Sequence, residues 1–229
     1  MTAVWAGMAT LMERGSRHLA VDSLLPQVDR LIVADGGERG DQAKFLGCAD
    51  APDDVVFLGV DDDLIYPPDY VENIVAGVER YPDAIVSHHG WSMRRDKEGE
   101  LELYARNHRC LENVWDDEEV HVAGTGVCAF RISTIRPEMD WFESINADVW
   151  LSLRAEKLGV RRVVLAHPSF WLGYCQVPMA RTIYTHTAYE TGSSLDGSEG
   201  KARAIRELSE LLDLPADDEE EAEDDDAET

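Results

Sequence analysis

Three consecutive aspartates, Asp61, Asp62 and Asp63, directly follow the apolar run at residues 55–60. The length and β-branching of this run predict a buried strand of a parallel sheet. Ligands of open α/β sheets bind outside the carboxyl ends of such strands, where these aspartates stand. Closely spaced carboxylates suit Mg²⁺ or Mn²⁺, which complete their shells with waters and substrate phosphates. The sequence therefore predicts that Asp61 and Asp63 are ligands of a divalent cation that meets a phosphorylated ligand.

The acidic cluster could also be a chance run or a calcium loop, and both interpretations are weaker. In a protein with many acidic residues, some runs of aspartate arise by chance. This run, however, stands between the predicted buried strand and Pro67-Pro68, which favours a functional site. A calcium-binding EF-hand loop needs glycine at its sixth position. Tyr66 occupies that position when counting starts at Asp61.

The block at residues 61–71, DDDLIYPPDYV, resembles the DXD region of nucleotide-sugar glycosyltransferases with the GT-A fold, related to glycosyltransferase family 2. Residues 23–30 are similar to the first helix and second strand of these enzymes, and residues 40–45 to their nucleotide-side loop. Residues 124–126 and 146–151 fall where the family has its acceptor loop and second acidic site. The resemblance covers about residues 3 to 185 in the same order. It implies that Asp61 and Asp63 hold a cation on the donor diphosphate.

The resemblance also implies a donor-binding set. It places Met8, Ala9, Thr10 and Arg14 near the nucleotide base and ribose, Lys44 near a phosphate or the base, and Asp62 against the donor ribose or the fold. Lys44 could equally be an ordinary solvent-facing lysine. The turn formed by Gly124, Thr125 and Gly126 could offer backbone N–H groups to a phosphate or sugar, or could simply be a hairpin turn.

Asp148 aligns with the acidic residue that acts as general base in inverting members of the family. A base must lie within hydrogen-bond reach of the acceptor hydroxyl. The alternative is a first-turn acid that interacts favourably with the helix dipole. The family usually has two acids here, and Ala147 occupies the earlier position.

Histidines and aromatic residues are further candidates. GT-A enzymes often add a histidine from the region after the last strand to the metal, and His167 is favoured over His186 for this role. Either histidine could instead be structural. Four aromatic residues could stack on sugars, although most aromatic side chains belong to the core: Trp91, Trp115, Trp171 and Tyr174.

The elements that position these residues alternate between strands and helices, which predicts an α/β fold, a Rossmann-like GT-A domain with a mostly parallel central sheet. Strands are predicted at residues 3–7, 30–34, 55–60, 84–87, 120–123, 127–131 and 163–166, and helices at 16–25, 69–80, 146–158 and 201–214. Residues 88–119 read as an insertion with at most one hairpin. The predicted organisation is a domain at 1–198, a C-terminal helix at 199–215 and a disordered acidic tail at 216–229.

Composition limits the partners. The chain has 46 acidic and 21 basic residues, a formal charge of -25, and the tail contributes ten of the acids. The remainder still has 36 acids against 21 bases, so binding of nucleic acid by its bulk surface is disfavoured. Only four basic residues are lysines. This pattern favours a halophilic, high-salt cytoplasm over the alternative, a high-GC genome with an acidic tail.

The chain is expected to work in the cytoplasm. Its four cysteines lack CxxC spacing and are typical of reduced thiols, and its N-terminus lacks the layout of a signal peptide. No apolar segment approaches the length of a transmembrane helix, although the acceptor could bring the protein to a membrane surface.

The sequence thus predicts a metal-dependent hexosyltransferase that uses a nucleoside diphosphate sugar, a hydroxyl acceptor (a glycan, a lipid-linked sugar or a small molecule) and Mn²⁺ or Mg²⁺, with inversion favoured over retention. One alternative is a sugar-phosphate nucleotidyltransferase, which usually has a glycine-rich basic N-terminal loop that residues 6–14 lack. A second alternative is a non-catalytic nucleotide-sugar-binding module.

Overall fold

The structure is a computed structural model that describes residues 2–11, 15–37, 39–143, 145–175 and 197–214 of the 229-residue chain. The strands are β1 (Val4–Thr10), β2 (Arg30–Asp35), β3 (Val56–Asp61), β4 (Leu64–Ile65), β5 (Ala84–Ser87), β6 (Gly90–Arg95), β7 (Leu101–His108), β8 (Glu118–Glu119), β9 (Val122–Ala123), β10 (Val127–Arg131), β11 (Arg161–Val164) and β12 (Gly173–Tyr174). The α-helices are α1 (Arg17–Leu24), α2 (Tyr70–Arg80), α3 (Ala147–Lys157) and α4 (Gly197–Leu211). Three 3₁₀ helices span Leu25–Gln27, Gly40–Cys48 and Met139–Trp141.

A seven-stranded sheet forms the centre of the fold, in the order β2-β1-β3-β10-β5-β11-β8. Five of its strands run in one direction, while β10 and β8 run against their neighbours. Helix α1 connects β1 to β2, and α2 lies between β3 and β5. The predicted α/β class with a mostly parallel central sheet is therefore confirmed.

Both faces of the sheet are covered, and β3 shows why. Its side chains Val56, Leu58 and Val60 pack on one face with α1 and α2, whereas Phe57 packs on the other with the Gly40–Cys48 helix, α3 and α4. Successive side chains of a strand point to opposite faces. A strand with both faces buried must be apolar at nearly every position, which explains the uninterrupted run that precedes the aspartates.

Two smaller sheets complete the fold, one in the order β7-β6-β9 and one formed by β12 and β4. Because β9 pairs with β6 while β10 pairs with β3 and β5, residues 124–126 connect two sheets. The alternative that these residues form a simple hairpin turn is therefore wrong. Backbone and side-chain hydrogen bonds hold Gly124 against the β5–β6 connection instead, through Ser87 and His89.

The remaining differences from the sequence prediction are local. Strand β1 continues three residues beyond the predicted end, and residues 40–45, predicted as a loop, belong to a 3₁₀ helix. One hairpin, β6–β7, lies in the predicted insertion, but β8 of the same stretch joins the edge of the central sheet. The acidic tail at 216–229 lies outside the described residues, and the domain boundaries remain a prediction.

Candidate active site

Four strand ends meet at one edge of the central sheet. The carboxyl ends of β1, β3 and β5 lie there, together with the amino end of the antiparallel β10. Val127 of β10 stands opposite Val60 of β3, which brings the turn before β10 beside the aspartates after β3. A cavity of about 410 Å³ opens at this edge.

The cavity gathers most of the residues predicted from the sequence. Its lining includes nine of them: Ala9, Lys44, Asp61, Asp62, Asp63, Gly124, Thr125, Gly126 and Asp148. Tyr174, one of the candidate stacking residues, lines it as well. Met8 and Thr10 are fully buried in β1, and Arg14 lies outside the described residues. Residues far apart in the chain thus share one site, while the role of each remains a prediction.

Lys44 forms an ion pair with Asp61 inside the cavity. Its Nζ lies 2.6 Å from Asp61 Oδ1, and its side chain is 3% exposed against 45% for Asp61. The 3₁₀ helix that carries Lys44 packs directly on β1. The contact is so close that a Cβ at Gly7 would stand 1.8 Å from the Lys44 carbonyl oxygen. Burial by itself lowers the pKa of Lys44, but Asp61, Asp41 and Asp148 outweigh it and raise the pKa above its ordinary value. Lys44 is therefore not a solvent-facing lysine.

The other two aspartates of the motif have different environments. Asp62 is 2% exposed, and its carboxylate accepts a hydrogen bond from the hydroxyl of Thr10. Asp63 lines the cavity, and its backbone carbonyl accepts a hydrogen bond of 2.7 Å from the Cys175 N–H. The Thr10 contact supports the alternative in which Asp62 pairs with the fold.

Thr125 fixes Asp148. The backbone N–H and the hydroxyl of Thr125 both donate to Asp148 Oδ1, at 2.8 Å and 2.5 Å. The Gly124 N–H donates to the His89 carbonyl at 2.8 Å. These two N–H groups of the turn, which the sequence offered to a phosphate or sugar, therefore bind protein atoms. In this structure the turn positions an acid.

Asp41 is a site residue that sequence reasoning missed. Its carboxylate accepts hydrogen bonds from the N–H groups of Asn146 (3.1 Å) and Ala147 (2.9 Å), at the start of α3. The first N–H groups of a helix have no partner within it, so Asp41 caps α3 and places Asp148 in the cavity. Burial raises the pKa of Asp41, against the opposing effect of Lys44. The two partners lie more than a hundred residues away in the chain, so no local signal reveals them.

Tyr66 and Gly126 hold Asp61 in place, and the role of Tyr66 was also missed. The Tyr66 hydroxyl accepts a hydrogen bond from the Asp61 N–H at 2.7 Å and donates to the Gly126 carbonyl at 2.8 Å. Burial raises the pKa of Tyr66 well above its ordinary value, so the hydroxyl keeps its proton. A Cβ at Gly126 would lie 1.9 Å from Asp61 Oδ2, so only glycine leaves room for this carboxylate.

His89 is a further cavity residue that was not predicted. It follows β5, and its ring packs on Gly124, where a Cβ would stand 2.6 Å from His89 Cδ2. Burial lowers the pKa of His89, opposed by Asp148 and Asp61. Its position at the carboxyl end of a predicted parallel strand is a signal that sequence reasoning could have used.

His167 does not line the cavity. Its ring nitrogens lie near two backbone carbonyls, with Nδ1 2.8 Å from Leu165 O and Nε2 3.4 Å from Arg109 O. Its ring packs edge-on against His88, with the centroids 5.2 Å apart. This geometry gives no support to the predicted metal role of His167, and His186 lies outside the described residues.

The acidic site suits a cation that is only partly bound by protein. Within the residues that the structure describes, no group of three or more His, Cys, Asp or Glu side chains could hold a metal ion. Mg²⁺ and related ions are usually bound by one or two carboxylates, with waters and substrate phosphates completing the shell. Asp61 and Asp63, two carboxylates lining one cavity, fit a cation of this kind.

No helix in the described parts of the chain is long and apolar enough to cross a membrane.

Comparisons with known proteins support the fold and extend no further. No family model matches the chain, and no curated protein matches its sequence.

Among solved structures, 103 chains match. One is the crystal structure of GalNAc-T7 with UDP, GalNAc and Mn²⁺, with a TM-score of 0.53 and 9% identity over 94% of this chain. The match covers 55% of the GalNAc-T7 chain, so this protein corresponds to about half of it. A second, A197 from STIV, has 15% identity over 78% of this chain and 87% of its own, but its TM-score of 0.44 is too low for an argument. The chain thus has a GT-A-like, Rossmann-type α/β fold.

Proposed function

We propose that the protein is a metal-dependent glycosyltransferase that moves a hexose from a nucleoside diphosphate sugar to a hydroxyl acceptor, with inversion favoured. The observation that carries this proposal is the convergence of Lys44, Asp61, Asp63 and Asp148 on one cavity at the carboxyl edge of the sheet. Its volume of about 410 Å³ lies in the range of small-molecule sites. GalNAc-T7, which shares the fold, was crystallised with UDP, GalNAc and Mn²⁺, which supports this class of donor and metal.

The binding roles follow from charge. Asp61 and Asp63 would hold the Mn²⁺ or Mg²⁺ ion, whose chemistry when bound is to neutralise negative charge on the leaving diphosphate. Lys44, which is ion-paired to Asp61, supplies a positive charge beside the proposed position of the cation and the diphosphate. The region of Met8, Ala9, Thr10 and Arg14 is proposed for the base and ribose.

Asp148 is proposed as the general base that accepts the proton of the acceptor hydroxyl. The two hydrogen bonds from Thr125 fix one of its oxygens, and Asp41 fixes the helix end from which it projects. A base held in this way is oriented before the acceptor arrives, which avoids an ordering cost during the reaction. The resemblance to inverting members of the family, in which the acid at this position acts as general base, is what favours inversion.

Turnover of a nucleotide sugar tests this proposal. A thermal-shift screen of nucleoside diphosphate sugars with and without Mn²⁺ identifies the donor, because a ligand of the native state raises the melting temperature. Release of nucleoside diphosphate from that donor is then measured for the wild type, for Asp63→Ala and for Asp54→Ala, an exposed acid at the opposite end of β3.

We expect metal-dependent release from the wild type and from Asp54→Ala, and none from Asp63→Ala. Metal-dependent binding without any release, with a range of acceptors, would instead identify a binding module. Pyrophosphate release from a nucleoside triphosphate and a sugar phosphate would identify a nucleotidyltransferase.

A further inference from the structure

Asp61 is both a proposed ligand of the divalent cation and the ion-pair partner of Lys44. Its carboxylate already binds the ammonium of Lys44 at 2.6 Å. Lys44 is also close enough to Asp41 and Asp148 for both carboxylates to stabilise its charge. The acidic site therefore contains a cation supplied by the chain itself.

A divalent cation and this ammonium repel each other at the same carboxylate. At a partly buried carboxylate, like charges a few ångströms apart repel each other more strongly than they would in bulk water. An isolated buried ammonium is unfavourable, and on leaving Asp61 the ammonium of Lys44 would keep only Asp41 and Asp148 nearby, so a further anion would favour its release. A diphosphate that enters the cavity supplies that anion.

We propose that Lys44 holds Asp61 until a diphosphate arrives, and then transfers its ammonium to the phosphate oxygens while the divalent cation takes the carboxylate. Lys44 thereby makes the binding of cation and diphosphate mutually dependent, and the substrate of the site is the metal complex of the donor. The inference rests on the proposed function for the identity of the diphosphate ligand. By linkage, the factor by which the diphosphate tightens metal binding equals the factor by which the metal tightens diphosphate binding.

The test measures Mn²⁺ binding without any nucleotide, by the electron paramagnetic resonance signal of free Mn²⁺. Lys44→Met keeps the length of the side chain and removes the competing charge, so its affinity for Mn²⁺ alone should exceed that of the wild type by about tenfold, within the usual size of coupling between sites. Lys44→Arg retains the charge and should bind Mn²⁺ as weakly as the wild type. Lys157→Met is the matched control, since Lys157 is also ion-paired, to Glu207, but does not line the cavity.

An unchanged or weaker Mn²⁺ affinity in folded Lys44→Met overturns the proposal. Should this variant fail to fold, the wild type gives the answer through its four lysines. With ¹³C-labelled lysine, the Cε signal of Lys44, assigned by Lys44→Arg, should shift when Mg²⁺ and UDP are added together and far less with Mg²⁺ alone, while those of Lys97, Lys157 and Lys201 stay in place. A Lys44 signal that does not move with Mg²⁺ and UDP together, or that moves as far with Mg²⁺ alone, also overturns the proposal.

Different results would reject the proposed glycosyltransferase function and the role proposed for Lys44. Absence of sugar transfer with any donor rejects the proposed function, whereas the Mn²⁺ comparison requires no donor and no turnover. Normal transfer combined with equal Mn²⁺ affinity in the wild type and Lys44→Met rejects the competition by Lys44 alone.

Discussion

Two buried basic side chains, Lys44 in the cavity and His88 at the end of β5, respond to burial in opposite ways. Each is 2% exposed. Three carboxylates surround the Lys44 ammonium and raise its pKa in spite of burial. His88 lies against the rings of Tyr70, His167 and Trp171, and burial, with a smaller effect of His167, lowers its pKa to about 3. Burial therefore removes a charge unless counter-charges are built in beside it.

The cavity and the surroundings of His88 also differ in the hydrogen bonding of their buried polar atoms. In the cavity, Tyr66, Thr125 and Asp41 connect polar groups of different elements and so fix the acids. Around His88, two buried polar atoms, Tyr70 Oη and His88 Nδ1, lack a hydrogen-bond partner among the described residues. Satisfied buried networks define positions, whereas unsatisfied buried atoms reduce stability. The acids of the cavity are thus fixed by hydrogen bonds, whereas His88 and its neighbours Tyr70, His167 and Trp171 are held by packing.

Removing one acid from the cavity should have the largest effect on activity. Asp148→Asn keeps the shape of the side chain but cannot accept the acceptor's proton, so transfer should fall by roughly 10²-fold or more. Metal-dependent donor binding should survive. Single-turnover rates and donor affinity separate the two effects, with Asp116→Asn, an exposed acid, as control. Parallel loss of binding and transfer would reassign Asp148 to folding, and nearly full activity would favour a retaining mechanism or another base.

Displacing the Asp61 carboxylate without removing it tests whether the exact position of an acid in the cavity matters. In Gly126→Ala the new methyl group would lie 1.9 Å from the present position of Asp61 Oδ2, so the carboxylate must move. Because a misplacement of about 1 Å in an active site can cost 10²-fold, transfer should fall by up to this factor while the fold persists. Gly15→Ala, where a Cβ would meet none of the described residues within 4 Å, is the control. Wild-type kinetics in Gly126→Ala would show that the position of Asp61 is unimportant.

His88 should make stability depend on pH. The unfolded chain protonates a histidine near pH 6.5, whereas folded His88 remains neutral down to about pH 3. Its contribution to the free energy of unfolding is therefore fully present above pH 6.5 and declines below it by about 1.4 kcal/mol per pH unit. Urea denaturation between pH 7 and 5 should show a shallower decline for His88→Phe than for the wild type and the exposed control His18→Phe. Equal slopes in all three proteins would contradict the described burial of His88.

The smallest predicted effect is that of added salt on the melting temperature. The chain without its tail has 36 acids and 21 bases, so exposed carboxylates repel one another. Raising KCl from dilute to molar screens this repulsion and should raise the melting temperature by a few degrees, while the partly buried Lys44–Asp61 pair is screened much less. A melting temperature that does not change across this range would exclude surface repulsion as a determinant of stability.

The sequence predicted the order of elements and much of the cavity lining because both depend on local patterns. The apolar run before Asp61 identifies β3, and the alternation of strands and helices identifies the class of the sheet. Asp61 and Asp63 line the cavity because they lie at the carboxyl end of β3, whereas Asp148 was predicted from the resemblance and projects from the first turn of α3.

What the sequence did not predict depends on contacts between distant segments. Asp41 caps a helix that begins more than a hundred residues later, and Tyr66 connects the end of β3 to Gly126. The resemblance placed His167 at the metal, whereas the fold turns its ring nitrogens toward backbone carbonyls. No local pattern specifies such pairings, since each arises only when the sheets are assembled.

Calorimetric titration of a nucleoside diphosphate, with UDP as the first ligand, tests the central claim most directly. If Asp61 and Asp63 hold a cation on the donor diphosphate, the wild type should release clear heat with Mn²⁺ and much less with EDTA. Asp63→Ala should give little heat in either case, although circular dichroism shows an intact fold, and Asp62→Ala should be less affected because Asp62 binds Thr10. Binding of equal strength with and without metal, in both the wild type and Asp63→Ala, would contradict the account.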